Sequence, residues 1–416
     1  MSGGRAGSPG FLPYGRQLIE EDDIEAVAAV LRGDYLTTGP EVDRFEADLA
    51  AVTEARHAVA CANGTAALHL AALALGLGPG DRVVVPTITF LATANAARYV
   101  GAEVVFADVD PDSGLMTPAT LEQALARIPE EARAKAVFNV HLAGPVGDVE
   151  GIHAVARRQG LAIVDDASHA LGTRYRDPSG AWNAVGSGAH ADMTTFSFHP
   201  VKTVTMGEGG AVTTNDPGLA ARLRAFRSHG MTRAPEAFVQ ADLAFDAQGR
   251  PNPWYYEMPE PGFNYRATDI QCALGRSQLA KLPRFAATRL ALSRRYDELL
   301  ADWAPVVTGL RKRDGLEPAL HLHPVLIDFP RIGLGVGLDR AAVMNRLRGK
   351  GIGTQVHYIP VHLQPYYRQR YGAVSLPGAE AYYARCLSLP LFAGMEEGDV
   401  ERAVAALGEV LGLGNR

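Results

Sequence analysis

Lys202 follows the apolar segment Thr194-Thr195-Phe196-Ser197-Phe198 through His199-Pro200-Val201, and the glycine-rich turn Gly207-Glu208-Gly209-Gly210 leads from it into a second apolar run. This order predicts a strand ending at Phe198, a proline-containing loop, and one amine at the strand's mouth. Sites on open α/β sheets gather at the carboxyl ends of strands, and a lysine enclosed there can lose its proton and attack an aldehyde. A loop lysine taken alone is more often solvated beside an ordinary hairpin, so its company decides.

Three segments keep that company. In Val164-Asp165-Asp166-Ala167-Ser168-His169-Ala170, carboxylates stand directly after the apolar run from Leu161 to Val164. A pyridine ring that absorbs electrons from a carbanion must keep its nitrogen protonated, and a buried carboxylate favours that charge; one of the two aspartates fits the role. Cys61-Ala62-Asn63-Gly64-Thr65-Ala66-Ala67-Leu68 reads as a strand, a turn and a helix start, whose backbone N–H groups and Thr65 hydroxyl make a phosphate cradle. Pro86-Thr87-Ile88-Thr89-Phe90 sets an aromatic ring at another strand mouth, where it stacks on a flat ligand or packs in the core.

The elements that must position these groups show in the alternation of short apolar runs with longer amphipathic stretches. The runs are Ala58-Val59-Ala60-Cys61, Val83-Val84-Val85, Val104-Val105-Phe106, Ala136-Val137-Phe138 and Ala162-Ile163-Val164. Runs without a polar face predict a mostly parallel sheet covered by helices. Before them, Ile24, Val27, Val30 and Leu31 recur at helical spacing after an acidic run, with Gly33 as a stop. After Asn264 the pattern changes. A helix starts at Thr268 and is interrupted at Pro283; then come an extended piece from His321 to Phe329, a helix from Asp339 to Arg348, a strand from Thr354 to Tyr358 and a last helix after Glu397. We therefore expect a flexible tail over 1–12, a large α/β domain over 13–265 with a surface insertion at about 231–262, and a small α+β domain over 266–416.

Composition narrows the function classes. The 416 residues are 47% hydrophobic and 21% charged with a net charge of −6, so no basic field gathers nucleic acid or anionic lipid, and a small-molecule substrate is favoured. Three well-separated cysteines give neither a disulfide framework nor a metal site, and no apolar run reaches bilayer-spanning length; we expect a cytoplasmic protein. The Gly-x-Gly-x-x-Gly of a dinucleotide site is absent from the first strand-helix unit.

Taken together, Asn63-Gly64-Thr65-Ala66-Ala67-Leu68, Asp166-Ala167-Ser168-His169-Ala170, Ser197-Phe198-His199-Pro200-Val201-Lys202, Gly207-Glu208-Gly209-Gly210 and Asn264-Tyr265-Arg266-Ala267-Thr268-Asp269 resemble, motif by motif and in order, the sugar aminotransferases of fold-type I pyridoxal-phosphate enzymes (DegT-like), from about Pro13 to the final helix. The resemblance implies a large domain with a mostly parallel seven-stranded sheet. It makes Lys202 the Schiff-base lysine and Asp166, not Asp165, the partner of the pyridine nitrogen. Phe90 and His169 become ring contacts, and Gly64, Thr65, Ala66 and Ser197 the phosphate site. Asn264 would reach the phosphate of a neighbouring subunit, which implies a homodimer with shared active sites. Lysine at this position marks the aminotransferases; the related sugar dehydratases carry histidine.

Pro13-Tyr14-Gly15-Arg16-Gln17, Leu36-Thr37-Thr38-Gly39-Pro40, Arg227-Ser228-His229-Gly230, Trp254-Tyr255-Tyr256-Glu257-Met258 and the run from Gly353 to Tyr367 resemble one branch of that family, which acts in pseudaminic acid biosynthesis. That branch aminates carbon 4 of a UDP-linked 4-keto-6-deoxy N-acetyl hexose with glutamate as donor, giving UDP-4-amino-4,6-dideoxy-N-acetyl-β-L-altrosamine. The chain departs from it at Pro145 and Gly147, where Gln and Cys are more usual. Thr37, Thr38 and Gly39, before a helix, are expected to receive the substrate's anionic groups, and Tyr14, His357 and Tyr358 the sugar or base. The rival readings are another TDP-, GDP- or UDP-linked keto sugar and, from another class, a non-catalytic nucleotide-sugar sensor, against which the retention of Lys202 and Asp166 argues.

Overall fold

The computed structural model describes residues 10–129, 132–332 and 338–413. Strands β1 (His57–Cys61), β2 (Arg82–Pro86), β3 (Glu103–Ala107), β4 (Ala134–Val140), β5 (Ala162–Asp166), β6 (Met193–Ser197) and β7 (Gly210–Thr214) form one sheet in the order β1-β7-β6-β5-β4-β2-β3. From β6 to β3 all neighbours are parallel, whereas β7 runs antiparallel to both β6 and β1. The unbroken apolar runs follow from burial on both faces: Val83 and Val85 pack into one core and Val84 into another. The sheet is the mostly parallel, seven-stranded one expected.

Helices α1 (Glu21–Leu31), α2 (Pro40–Thr53), α3 (Gly64–Ala74) and α4 (Leu91–Tyr99) precede or interleave the first strands. Helix α5 (Asp269–Ala280) starts at Thr268, whose hydroxyl accepts from Gln271 N while the Gln271 side chain accepts from Thr268 N. Pro283 lies in the first turn of α6 (Leu282–Leu300), where its missing N–H costs nothing, so the helical stretch divides there as expected. A second, antiparallel sheet of β8 (Val307–Gly309), β9 (His323–Ile327) and β10 (Cys386–Leu389) packs with α6 and α7 (Glu397–Leu411) around Tyr296, Val325, Leu387, Val400 and Leu407.

Three local expectations are corrected. The apolar face expected of α1 is largely outside: Ile24 and Leu31 are 53% and 57% exposed, and the buried residue is Asp23. Lys281 Nζ at 2.8 Å, Ser277 Oγ at 2.6 Å and Gln278 Nε2 at 2.7 Å satisfy its carboxylate, so the acidic run anchors α1 to α5 and α6. The expected strand from Thr354 to Tyr358 is an extended segment with a single bridge, Gln355 to Ser388. Beyond it, side chains hold the backbone in place of a ladder: Tyr382 Oη donates to the His357 carbonyl. Most of the expected tail lies outside the described residues, but Leu12 is buried and pairs with Gly351 and Gly353. The 231–262 segment has only two short helical turns, and Val239, Leu243, Trp254, Tyr256 and Met258 are exposed.

Candidate active site

A cavity of about 910 Å³ opens where β1, β4, β5 and β6 end, and the 355–359 segment closes its far side. Lys202 stands in its wall. The loop that carries it is pinned at its base, with Phe198 N bonded to Gly209 O and Met206 N to Phe198 O, while Phe198 is fully buried against Phe45. Burial pulls the Lys202 amine down to about 8, against the opposing pull of the Asp166 carboxylate. At pH 7 about a tenth of amines so placed are free of the proton, far more than for a solvated lysine.

Asp165 and Asp166 are the last two residues of β5 rather than the first after it, so strand alternation sends them to opposite faces. Asp166 lines the cavity: its Oδ2 accepts from Thr93 Oγ1 at 2.7 Å and its Oδ1 from Ser168 Oγ at 2.6 Å and Ser168 N at 3.1 Å. Asp165 is not in the wall; it pairs with His141 Nε2 at 3.1 Å and accepts from Asn139 Nδ2 at 3.2 Å. Of the two carboxylates, Asp166 is the one that faces the cavity.

The Asn63 side chain caps α3 by accepting from Ala66 N at 2.8 Å. This leaves the N–H groups of Gly64 and Thr65 without an acceptor among the described residues, facing the same cavity as the Thr65 and Ser197 side chains. Glycine is required on both sides of this cradle: a Cβ on Gly64 would lie 2.8 Å from Ser197 Cβ, and one on Gly210 would lie 2.2 Å from Asn63 O. The fit to an anion is that of a helix N-terminus with unpaired donors.

Phe90, Ala66, His169, Tyr14, His357 and Tyr358 also line the cavity. Phe90 is no core residue; it is 56% exposed at the start of α4. His169 Nε2 lies 3.1 Å from Tyr358 Oη, and His357 Nδ1 lies 2.8 Å from Ser388 Oγ. Burial and then the Lys202 charge push His169 well below the usual imidazole range, and the same causes take His357 to about 3. Thr37, Thr38 and Gly39 lie outside the cavity. The helix start beside them does receive an anion, but it is the chain's own: the Asp269 carboxylate accepts from Gly39 N at 2.8 Å and from Glu41 N at 2.9 Å. Asn264, exposed and bridged to Ser228, also lies outside this wall.

Residues that sequence reasoning did not single out complete the site. Thr93, in the first turn of α4, donates to Asp166, and its hydroxyl lies 2.7 Å from that of Thr89 just before the helix. His321 reaches the wall from the approach to β9, with no motif to mark it. An amine, an acid at the end of the neighbouring parallel strand, an anion cradle and flanking rings in one cavity fit pyridoxal phosphate in each of its parts.

The DegT/DnrJ/EryC1/StrS aminotransferase family matches residues 17–408. Among solved structures, the chain is similar to Helicobacter pylori PseC, an aminotransferase involved in the biosynthesis of pseudoaminic acid, at 28% identity and a TM-score of 0.83, covering 97% of this chain and 100% of that one. It is similar to S. venezuelae DesV at 34% identity and a TM-score of 0.79, covering 94% of each chain. The PLP form of Spr1654 from Streptococcus pneumoniae matches at 28% identity and a TM-score of 0.82, covering 97% and 99%. The fold is therefore that of fold-type I pyridoxal-phosphate enzymes, and the chain belongs to the DegT/DnrJ/EryC1/StrS family as a pyridoxal-phosphate-dependent sugar aminotransferase.

Proposed function

We propose that the chain transfers the amino group of glutamate to carbon 4 of a UDP-linked 4-keto-6-deoxy N-acetyl hexose, giving UDP-4-amino-4,6-dideoxy-N-acetyl-β-L-altrosamine for pseudaminic acid biosynthesis in the cytoplasm. The observation that carries the reaction type is the half-buried Lys202 with its amine stripped of water, in one cavity with Asp166. The sugar rests on the branch-like segments at Tyr14, Thr37 and His357 to Gln364 and on the likeness to PseC. No helix among the described residues is long and apolar enough to cross a membrane.

When bound, the cofactor supplies an aldehyde carbon and an electron-poor ring that accepts the electron pair released as a substrate C–H bond breaks. Lys202, its proton loosened by burial, would be the amine that holds the aldehyde and, when not so engaged, the base that moves a proton at the substrate carbon. Asp166, fixed by Thr93 and Ser168, would hold the ring nitrogen in its cationic form. The Gly64, Thr65 and Ala66 turn with Ser197 would hold the phosphate, and Phe90 and His169 would supply the flanking rings.

We further propose that the active unit is a homodimer with shared sites, to which Asn264 of each chain contributes. Two observations support this. The cavity wall holds no arginine and only one lysine among the described residues, although donor and nucleotide together bring several anionic groups. Apolar side chains, Val239, Leu243, Trp254 and Met258 among them, are exposed on the 231–262 segment. The higher identity to DesV than to PseC favours a second reading, an aminotransferase for another TDP-, GDP- or UDP-linked keto sugar. Incubating the purified protein with glutamate and each keto sugar, and following product mass, separates them: the UDP-linked N-acetyl sugar is expected to gain an amino group, and its failure beside turnover of another sugar overturns the first reading.

A further inference from the structure

We propose that Tyr358 is a catalytic hydrogen-bond donor to the oxygen on the reacting carbon in both halves of the transfer, and that the Ala143 amide aims its proton through His169. The inference rests on the reading that Lys202 carries the cofactor in this cavity, and it assigns a further group to that site.

The direction of the hydrogen bonds follows from one backbone amide. Ala143 N–H donates to His169 Nδ1 at 3.2 Å, so that nitrogen presents a lone pair. Burial keeps the His169 ring neutral, with the Lys202 charge acting in the same direction, and the ring's one proton therefore sits on Nε2. Nε2 lies 3.1 Å from Tyr358 Oη and donates to it. The phenol oxygen is thus an acceptor toward His169, and its own hydrogen is left for the cavity, with no other partner among the described residues. Burial, and then the Asp166 charge, push the phenol far above its usual range, so it remains a neutral donor throughout.

The amide that sets this direction is held in an uncommon conformation. Ala143 has a φ of 65°, which costs a residue with a Cβ about 1 kcal/mol or more. Its surroundings maintain it: the Ala143 carbonyl accepts from His321 N at 2.9 Å, and a Cβ on the following Gly144 would lie 2.5 Å from Ala319 O. Strain of this kind persists where packing over-determines the backbone, and here it points one N–H at one imidazole.

Position selects the ligand oxygen. Lys202, Asp166, Ser197 and the α3 cradle come from strand ends of the large sheet, whereas Tyr358 enters from the 355–359 segment across the cavity and touches His169 and Phe90. A carbonyl compound approaching Lys202 lies between these two sides. As the C–N bond forms, the π pair of the C=O bond moves onto oxygen and the proton that completes the hydroxyl comes from the adding amine. No proton leaves the phenol. Its hydrogen bond strengthens as charge builds on that oxygen, and the same holds in reverse as water adds and the amine departs. Sugar ketone and 2-oxo acid pass through the same geometry, so one donor serves both.

The test uses holoenzyme of Tyr358→Phe, which keeps the ring. Single-turnover absorbance follows conversion by glutamate and its reversal by 2-oxoglutarate, neither of which needs a sugar, and then the half-reaction with the keto sugar that the wild type accepts. We expect both halves to slow by about 100-fold, while cofactor affinity and the pH titration of the visible band stay at wild-type values. Slowing of the sugar half alone, a displaced titration, or no slowing would each overturn the assignment. In 15N spectra of histidine-labelled wild type, His169, identified by its loss in His169→Gln, is expected to show a bare Nδ1 and a protonated Nε2; a protonated Nδ1 overturns the aiming role. A wild type that fails to react with glutamate would instead defeat the reading beneath.

Discussion

Replacing Lys202 with methionine in the cofactor-free protein is expected to raise stability, by an amount that depends on pH in a defined way. The folded chain lowers the amine from its ordinary 10.5 to about 8, mainly by stripping it of water, and at about 1.4 kcal/mol per tenfold this corresponds to about 3 kcal/mol of stability withheld while the proton is on. Below about pH 8 both folded and unfolded chains carry the proton, and the folded state bears the whole penalty. Between about 8 and 10.5 the folded chain has released the proton and the unfolded chain has not, so the wild type gains stability as pH rises through that window. Methionine has no such titration. The stability difference between Lys202→Met and wild type, measured by urea denaturation at a series of pH values, should therefore be flat below pH 8 and shrink by about 3 kcal/mol toward pH 10.5. Groups beyond the reach of the Lys202 charge titrate alike in both proteins and cancel, and the buried imidazoles that feel it, His169 and His357 among them, are held neutral across this window mainly by burial. A difference that does not change with pH, or a methionine variant less stable than wild type at neutral pH, would refute the picture of a desolvated amine.

Asp166→Asn keeps the shape and one acceptor oxygen for Thr93 or Ser168 but removes the charge, and turnover should fall by about 100-fold or more while phosphate-driven cofactor binding, followed by absorbance titration, is largely retained. Gly64→Ala drives a methyl to 2.8 Å from Ser197 Cβ and should weaken cofactor affinity by about 10-fold or more with the fold intact by circular dichroism. Lys281→Met leaves the fully buried Asp23 carboxylate without its cation and should cost about 3 kcal/mol in chemical denaturation, with coupling to Asp23→Asn in a double-mutant cycle.

The parts of the fold that were legible are those in which local chemistry and tertiary packing agree. Val83 to Val85 form a strand buried on both faces, and no polar residue interrupts it. Thr268 with Gln271, and Pro283 in a first turn, mark helix starts that hold in any context. Readings failed where a distant partner decides. Ile24 and Leu31 have helical spacing, but Lys281, far along the chain, makes Asp23 the buried residue of α1. The start of α2 looked open to a ligand anion until Asp269 supplied its own carboxylate. The Asp165 and Asp166 pair shows the same limit on a smaller scale: which of them enters the cavity turns on β5 continuing to Asp166, which residue types do not state. His321, and the Ala143 amide that fixes His169, carry no sequence mark because they are brought in by the backbone crossing of two loops.

The most direct measurement is reductive trapping. Reconstitution with pyridoxal phosphate, borohydride reduction and peptide mapping by mass spectrometry are expected to place the phosphopyridoxyl group on Lys202 alone, and Lys202→Ala is expected to abolish both the adduct and amino transfer. An adduct at any other lysine, or undiminished transfer by Lys202→Ala, would contradict the account.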